Sequence, residues 1–279
     1  MRAGAQVLLA GASFRIDTGD RIGLVGRNGA GKTTLTKVLA GTAAPAAGVV
    51  AASGTVGYLP QDPRTGDLEV VALDRILSAR GLDESLARLR QAELDMASSD
   101  DAVRDRGMRK YAAADAAFQA AGGYAAESEA ASLAGSVGLP ASVLQQTLGT
   151  LSGGQRRRIE LARILFSGAD TLLLDEPTNH LDADSIAWLR TFLVNHAGGL
   201  VVISHDVSLL EATVNRVFHL DANRQVLDVY NVGWTPYLEA RETDERRRRR
   251  ERANAEKQAA ALKAQADRMR AKADRKSTR

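Results

Sequence analysis

GRNGAGKT, Gly26 to Thr33, follows the apolar run Ile22, Gly23, Leu24 and Val25 and precedes a segment whose Leu35, Val38 and Leu39 stand at helical spacing. It therefore marks a strand that turns into a helix. Glycines at 26, 29 and 31 let the backbone curl with its N–H groups pointing inward, and the helix start adds its positive end, so the loop is shaped to wrap a polyphosphate. Lys32 is expected to reach the β and γ phosphates, and the Thr33 hydroxyl to ligate magnesium.

On the N-terminal side, Val7 to Leu9, Ser13 to Ile16 and Arg21 to Val25 read as short strands, with turn residues at Gly11 and at Thr18, Gly19 and Asp20. On the C-terminal side, strands are expected near Val49 and over Val56 to Leu59, running into GYLPQDP. Gln61 then lies at a strand end, either as an amide within reach of magnesium and the attacking water or as an ordinary loop residue. From Asp67 to Gln146 the chain becomes alanine-rich, charged and helical in period, with Leu86, Leu89, Arg90, Glu93 and Leu94 on one face and Tyr111, Ala114, Asp115 and Phe118 on another. Two antiparallel helices are expected between about 82 and 121, broken at 98 to 101 and ended by Gly122-Gly123, with a compact helical region up to Gly149.

Two further stretches carry chemistry. In TLSGGQRRRIELARILF, Thr150 to Phe166, Ser152 precedes two glycines and a helix whose Ile159, Leu161, Ala162, Ile164 and Leu165 face a core. Its start is either a second anion site or an N-capped helix with a polar front. In TLLLDEPTNHLD, Thr171 to Leu174 has the continuous apolar run of a strand covered on both faces, and it delivers Asp175 and Glu176 at its C-terminal end. A buried acidic pair without a metal or partner is costly, so Asp175 is expected to hold magnesium and Glu176 to face a water in line with the γ phosphate. Asn179, His180, Leu181 and Asp182 turn into a helix bearing Ile186, Trp188 and Leu189; the strand Leu200 to Ile203 then ends in Ser204-His205-Asp206, where His205 is either a structural histidine or, 30 positions after Asp175 at the end of the next strand, a contact for the γ phosphate. Strands over Arg216 to Leu220 and Gln225 to Tyr230 close the body.

Composition narrows the class. The 279 residues are 44% hydrophobic, contain no cysteine and carry a net charge of +3. Such a chain can bury a core, and it has no disulfide, thiolate zinc site or cysteine nucleophile, which fits a reducing, cytoplasmic setting. No apolar run reaches the roughly 18 residues of a membrane span, and no secretory signal opens the chain, so no membrane insertion is expected. The charge is divided: 15 Lys and Arg stand against 7 Asp and Glu from Arg241 to Arg279, leaving 22 against 27 elsewhere. That basic stretch, with RRRRR at 246 to 250, is one long helical pattern with a small-residue seam at Ala255, Ala259, Leu262, Ala266, Met269 and Ala273. Its arginines form either a solvated face or a contact for a phosphate backbone.

In order, GRNGAGKT, Gln61, LSGGQ at 151 to 155, LLLDE at 172 to 176, NHLD at 179 to 182 and His205 resemble the ATP-binding cassette superfamily. The fused LSGGQRRRIELARILF and DEPTNHLD segments, the helical hairpin and the charged extension are similar to the ABC-F group of soluble, ribosome-associated ATPases. The resemblance implies an α/β P-loop NTPase cassette: a mixed central sheet with a small antiparallel β-subdomain, and a helical subdomain with an inserted hairpin arm. The cassette is expected over 1–233, with its arm at about 82–121, and a basic helical linker over 234–279.

It implies ATP and Mg2+ as cofactors. Gly26, Asn28, Gly29, Ala30, Gly31, Lys32, Thr33 and Thr34 would hold the triphosphate, Thr33, Asp175 and Gln61 the magnesium. Glu176 would polarise water, with His205 and Gln61 also catalytic. Ser152, Gly153, Gly154 and Gln155 would serve the nucleotide of an opposing cassette. In the ABC-F group two cassettes share one polypeptide, joined by a two-helix linker that enters the ribosome near the peptidyl transferase centre and contacts transfer RNA. By that resemblance this chain is a first cassette, its arm and half a linker, with ribosomal and transfer RNA as partners in translation or in ribosome-protection antibiotic resistance. A single cassette is then expected to turn over poorly. An adenine-stacking aromatic is expected on a strand ahead of Val7, but Met1 to Gln6 holds none and Phe14 is the first in the chain. The alternative reading is the ATP-binding subunit of a membrane transporter, which the basic extension and the hairpin disfavour.

Overall fold

The computed structural model describes residues 2–3, 6–7, 9–61 and 67–277, of which 2–3, 6–7, 261 and 264–277 are described by their backbone alone. In chain order the elements are β1 (Arg2–Ala3), β2 (Gln6–Val7), β3 (Arg21–Gly26), α1 (Lys32–Leu39), β4 (Val56–Leu59), α2 (Ala72–Leu77), α3 (Asp83–Met96), α4 (Asp101–Ala120) and α5 (Gly123–Ser136). There follow α6 (Gly153–Phe166), β5 (Thr171–Asp175), α7 (Ala183–Asn195), β6 (Gly199–Ile203), α8 (Val207–Thr213), β7 (Arg216–Asp221), β8 (Val226–Tyr230) and α9 (Trp234–Ser277).

A six-stranded sheet in the order β4-β5-β6-β3-β7-β8 organises the body; its pairs are parallel except the antiparallel β7–β8. The strands at its centre are the apolar ones. Every residue of β6 is buried, and so are the last four of β5, which is why neither alternates polar and apolar side chains. Leu24, Leu173, Val201, Ile203, Phe218 and Leu220 form a core cluster with Ala30 and Leu35 of the phosphate loop and α1. Because β3, β5 and β6 are parallel and in register, with Ile22 opposite Val201 and Asp175 opposite Ile203, they deliver Gly26, Asp175 and Ser204 to one edge of the sheet. Ligands bind at that carboxyl edge in open parallel sheets.

Two expected strands are absent. Ser13 to Ile16 joins no ladder and is anchored through side chains: Phe14 packs edge-on against Phe218 at 5.2 Å between ring centroids, and Ile16 packs on the core. Near Val49 there is no strand either; Val49 is 91% exposed, so its β-branched side chain has nothing to pack against. Among the described residues the antiparallel addition is the two-residue pair β1–β2.

Helices α3 and α4 form the expected hairpin. A four-residue connection, 97–100, reverses the chain, and Asp100 caps α4 by accepting from the N–H groups of Ala102 (2.8 Å) and Val103 (3.2 Å). The helices meet at Gly107, where an added Cβ would lie 2.6 Å from the Met96 nitrogen. Leu86 and Leu89 are buried, whereas Leu94 is exposed, so the expected apolar face fades toward the tip. The base is tied down by ion pairs: Arg90 grips Asp74 of α2 through two 2.7 Å hydrogen bonds, and Arg75 of α2 holds buried Glu160 of α6 at 2.6 Å.

The chain divides into two units, Met1–Asn231 and Val232–Arg279. The second is α9, whose described part is studded with i,i+4 pairs such as Arg246–Glu242 at 2.6 Å. In the expected seam, Ala255, Ala259 and Leu262 are exposed, while Ala266, Met269 and Ala273 lie outside the described side chains. No helix of the described residues is long and apolar enough to cross a membrane.

Candidate active site

β3 ends at Gly26, whose φ of 155° and contact with the Leu220 carbonyl, 2.6 Å from where a Cβ would stand, admit only glycine. Gly31, at φ 98°, turns the loop into α1. Asn28, Gly29 and Ala30 form the crest, and the Ala30 N–H donates to the Arg27 carbonyl at 3.0 Å. Lys32 folds back across this loop, its Nζ donating to the carbonyls of Gly26 (2.9 Å) and Arg27 (3.3 Å). Its ammonium therefore sits over the loop's concave backbone, where a phosphate chain would lie. Thr34 follows on the first turn of α1, and buried Thr36 fixes that turn by donating to the Thr33 carbonyl at 3.0 Å.

The hydroxyl of Thr33 donates to Asp175 Oδ2 at 2.7 Å, joining residues 142 apart in sequence. Asp175 is 2% exposed, and burial pushes its carboxyl above the usual range, an effect opposed first by the Thr33 hydrogen bond. A hard divalent cation suits this pair. Magnesium takes oxygen ligands, one or two from protein and the rest from water and phosphate. Among the described residues no cluster of three or more His, Cys, Asp or Glu could hold a metal by itself. Two protein oxygens beside a phosphate-shaped loop are the donor set expected for a cation that arrives with a polyphosphate.

Glu176 stands next in the chain with φ 53°, a left-handed backbone that costs a non-glycine residue roughly 1–2 kcal/mol. Its N–H is held by the Ile203 carbonyl at 2.8 Å, and its carboxylate lies 3.4 Å from His205 Nε2. Burial raises its carboxyl above the ordinary range, with His205 the main opposing influence. His205 itself is 79% exposed, so the pair sets a buried carboxylate beside an open imidazole.

Gln61 follows β4, next to β5 in the sheet. Its side chain is exposed, and no hydrogen bond links it to Thr33, Asp175 or Glu176 among the described residues. What reaches the site is its main chain. Arg157 of α6, 6% exposed, donates through Nη1 to the carbonyls of Pro60 (3.0 Å) and Gln61, and through Nη2 to those of Asp175 (2.8 Å) and Glu176 (2.7 Å). Hydrogen bonds from a charged donor contribute about 1.5–3 kcal/mol each, enough to offset the strain at Glu176.

Ser152 to Gln155 are arranged differently. The Ser152 hydroxyl accepts from the Gln155 N–H at 3.2 Å, while the Gln155 side chain accepts from the Ser152 N–H at 2.9 Å, a reciprocal capping box at the start of α6. Ser152 and Gly153 are exposed, and Gly154 lies against His180 of the NHLD turn, whose φ is 69°. No hydrogen bond or ion pair joins 152–155 to 26–34 among the described residues.

A phosphate loop at the carboxyl edge of a mostly parallel sheet, joined through Thr33 to a buried Asp-Glu pair at the end of β5, one strand beyond β6, defines a P-loop nucleotide-binding cassette. Comparison with known proteins agrees. A family model described as ABC transporter matches residues 9–179, and a second of the same description matches 220–279. The chain belongs to that ATP-binding cassette family, as a cassette of the ABC-F kind. It is 36% identical over 252 residues to the tylosin resistance ATP-binding protein TlrC of Streptomyces fradiae, covering 88% of this chain and 45% of TlrC. It is 33% identical over 244 residues to the energy-dependent translational throttle protein EttA of Haemophilus influenzae, covering 84% of this chain and 42% of EttA. The chain thus spans less than half the length of these relatives. Its fold is similar to that of the ATP-binding cassette MJ0796, a dimer in a post-hydrolysis state bound to ADP and Pi, with a TM-score of 0.54 at 19% identity over 80% of this chain and 90% of that one. Members of the family are ATPases.

Arg157 went unmarked in the sequence reading, where it was one of three arginines on a polar helix front. Its signal was its register: it precedes Leu161 by four positions and Ile164 by seven, a charge on the buried stripe of α6.

Proposed function

We propose that this chain is an ATP hydrolase whose closure and opening act on the ribosome, in general translation or in protection against an antibiotic. The observation that carries the ATPase reading is the junction of Thr33 with Asp175 at 2.7 Å, with Glu176 next in the chain and His205 3.4 Å from its carboxylate. Lys32 and the amides of Gly26 to Thr34 hold the triphosphate; Thr33 and Asp175 would hold Mg2+, and the side-chain amide of Gln61, exposed in this structure, would join them on closure around the nucleotide. When bound, the ion would supply charge neutralisation at the transferring phosphoryl group. Glu176 orients and deprotonates the attacking water, and His205 steadies Glu176 and the γ phosphate. The task is positioning and charge stabilisation rather than covalent chemistry.

Ser152 to Gln155 serve the nucleotide of a second cassette, either the remainder of a longer polypeptide or another copy. The relatives' names support the ribosomal part, one a translational throttle and the other a tylosin resistance protein. So does α9, whose arginines at 246 to 250 offer charge to a phosphate backbone. Pelleting with ribosomes tests it. The chain should sediment with them at about 50 mM salt and be released toward about 200 mM. Failure to sediment at low salt, with ATPase activity intact, overturns the ribosomal part and favours the ATP-binding subunit of a transporter; a folded chain without ATPase activity, alone or with a second cassette, overturns the enzymatic part.

A further inference from the structure

We propose that Arg157 is a positioning residue for hydrolysis, a clasp that fixes the main chain of Gln61 and of Glu176 to each other across two strand ends. The role rests on the ATPase reading above. The β4–β5 ladder has its last pair at Leu59 and Leu174. The next residue on the β4 side is Pro60, which has no N–H to continue it. Gln61 therefore leaves the sheet without a ladder bond to β5. Arg157 replaces that bond: one guanidinium nitrogen takes the carbonyls of Pro60 and Gln61, the other those of Asp175 and Glu176.

The acceptors of these four bonds are main-chain oxygens, so the bonds themselves leave the carboxylates of Asp175 and Glu176 to the chemistry. The clasp also adds to the hold on a residue kept in the left-handed region, beside the bonds of the Glu176 N–H to the Ile203 carbonyl (2.8 Å) and of the Asn179 N–H to the Glu176 carbonyl (3.3 Å), and so opposes a relaxation that would swing the side chain away from His205. The planar fork of arginine spans the two strand ends; a lysine ammonium at the end of one stem has no second nitrogen for the far strand. The helix bearing the fork is itself anchored, since Glu160, three residues on, is buried between Arg75 and Arg163 at 2.6 and 2.8 Å.

The test uses the full chain with Arg157→Met, which keeps the stem and removes the donors, and Arg157→Lys, which keeps the charge. Steady-state ATPase kinetics and amide hydrogen exchange at residues 57–61 and 173–178 are measured together. Arg157→Met should lower kcat about 100-fold and Arg157→Lys about tenfold, with KM within about threefold of wild type. Exchange should quicken at those two segments and nowhere else in the sheet. A merely structural role would slow turnover only in proportion to the fraction unfolded and would raise exchange throughout α6 and β5. If Arg157→Met does not fold, Arg157→Lys carries the same test. Variants with wild-type kcat beside an active wild type overturn this role alone; a folded wild-type chain that hydrolyses no ATP, alone or with a second cassette, removes the ATPase reading and this role with it.

Discussion

Two helix starts in this molecule carry the glycine-rich motifs, and they differ in what they touch. At the start of α1 the loop is closed in: Gly26 against the Leu220 carbonyl, Lys32 on its own loop, Thr33 on Asp175. At the start of α6, the side chains of Ser152 and Gln155 each accept from the other's main-chain N–H, and Ser152 and Gly153 face solvent. The first motif is assembled by the rest of the chain, while the second is held by its own capping box and presented outward. That asymmetry suits the proposed sharing of a site between two cassettes, one half built into the sheet and the other offered from a surface. α6 also joins the two, since its first residues form the exposed half and Arg157, two residues beyond Gln155, clasps the buried one.

Substitutions at the buried half should have the largest effects. Glu176→Gln should lower kcat by at least about 100-fold while MgATP affinity stays near wild type, because a general base acts on the chemical step. Wild-type turnover in that variant would remove Glu176 from the mechanism. Lys32→Ala should weaken nucleotide binding by about 10–100-fold, the loss of one charged contact, as read by equilibrium titration. An unchanged affinity would detach the loop from the nucleotide.

A subtler effect is expected from pH. Burial already raises the Glu176 carboxyl, and His205 opposes that rise, so the acid limb of kcat should lie above the ordinary glutamate value of about 4.3. Removing the imidazole in His205→Ala should move the limb to still higher pH; a shift downward would contradict the pairing. The same carboxyl bears on stability with a definite sign. A group whose pKa is raised on folding binds protons better folded than unfolded, so its contribution declines as pH rises from the unfolded value toward the folded one. Asp175 shares the raised direction, and Asp175→Asn should therefore raise the melting temperature at neutral pH and narrow that gain near pH 4. The smallest effect belongs to the exposed half. Ser152→Ala should cost about 1 kcal/mol of stability through the lost cap and leave MgATP affinity of the chain untouched. A fall in affinity would break the contrast between the halves.

How much of this was legible in the sequence follows from range. The phosphate loop, the α6 cap and the apolar strand ending in Asp175 are each encoded by neighbours, and all three stand where their patterns predicted. The hairpin was legible because Asp100 and Gly122 punctuate it locally. Ser13 to Ile16 and the region of Val49 carry strand-forming residues but lack a pairing partner among the described residues, something no local pattern reports. Gln61 was expected at the site by its side chain; its carbonyl is what the structure joins to the site, and only the fold brings Arg157, 96 residues on, to that carbonyl. Arg157 itself was visible in principle as a charge in a buried register, and the run of three arginines obscured it.

The claim on which the rest depends is that residues 26–34 with Asp175 form a nucleotide site within this one chain. Calorimetric titration of MgATP into the folded wild-type chain tests it directly. Saturable binding at one site per chain, weakened by Lys32→Ala and unaffected by Ser152→Ala, is the expected result; a folded chain that takes up no MgATP would contradict it.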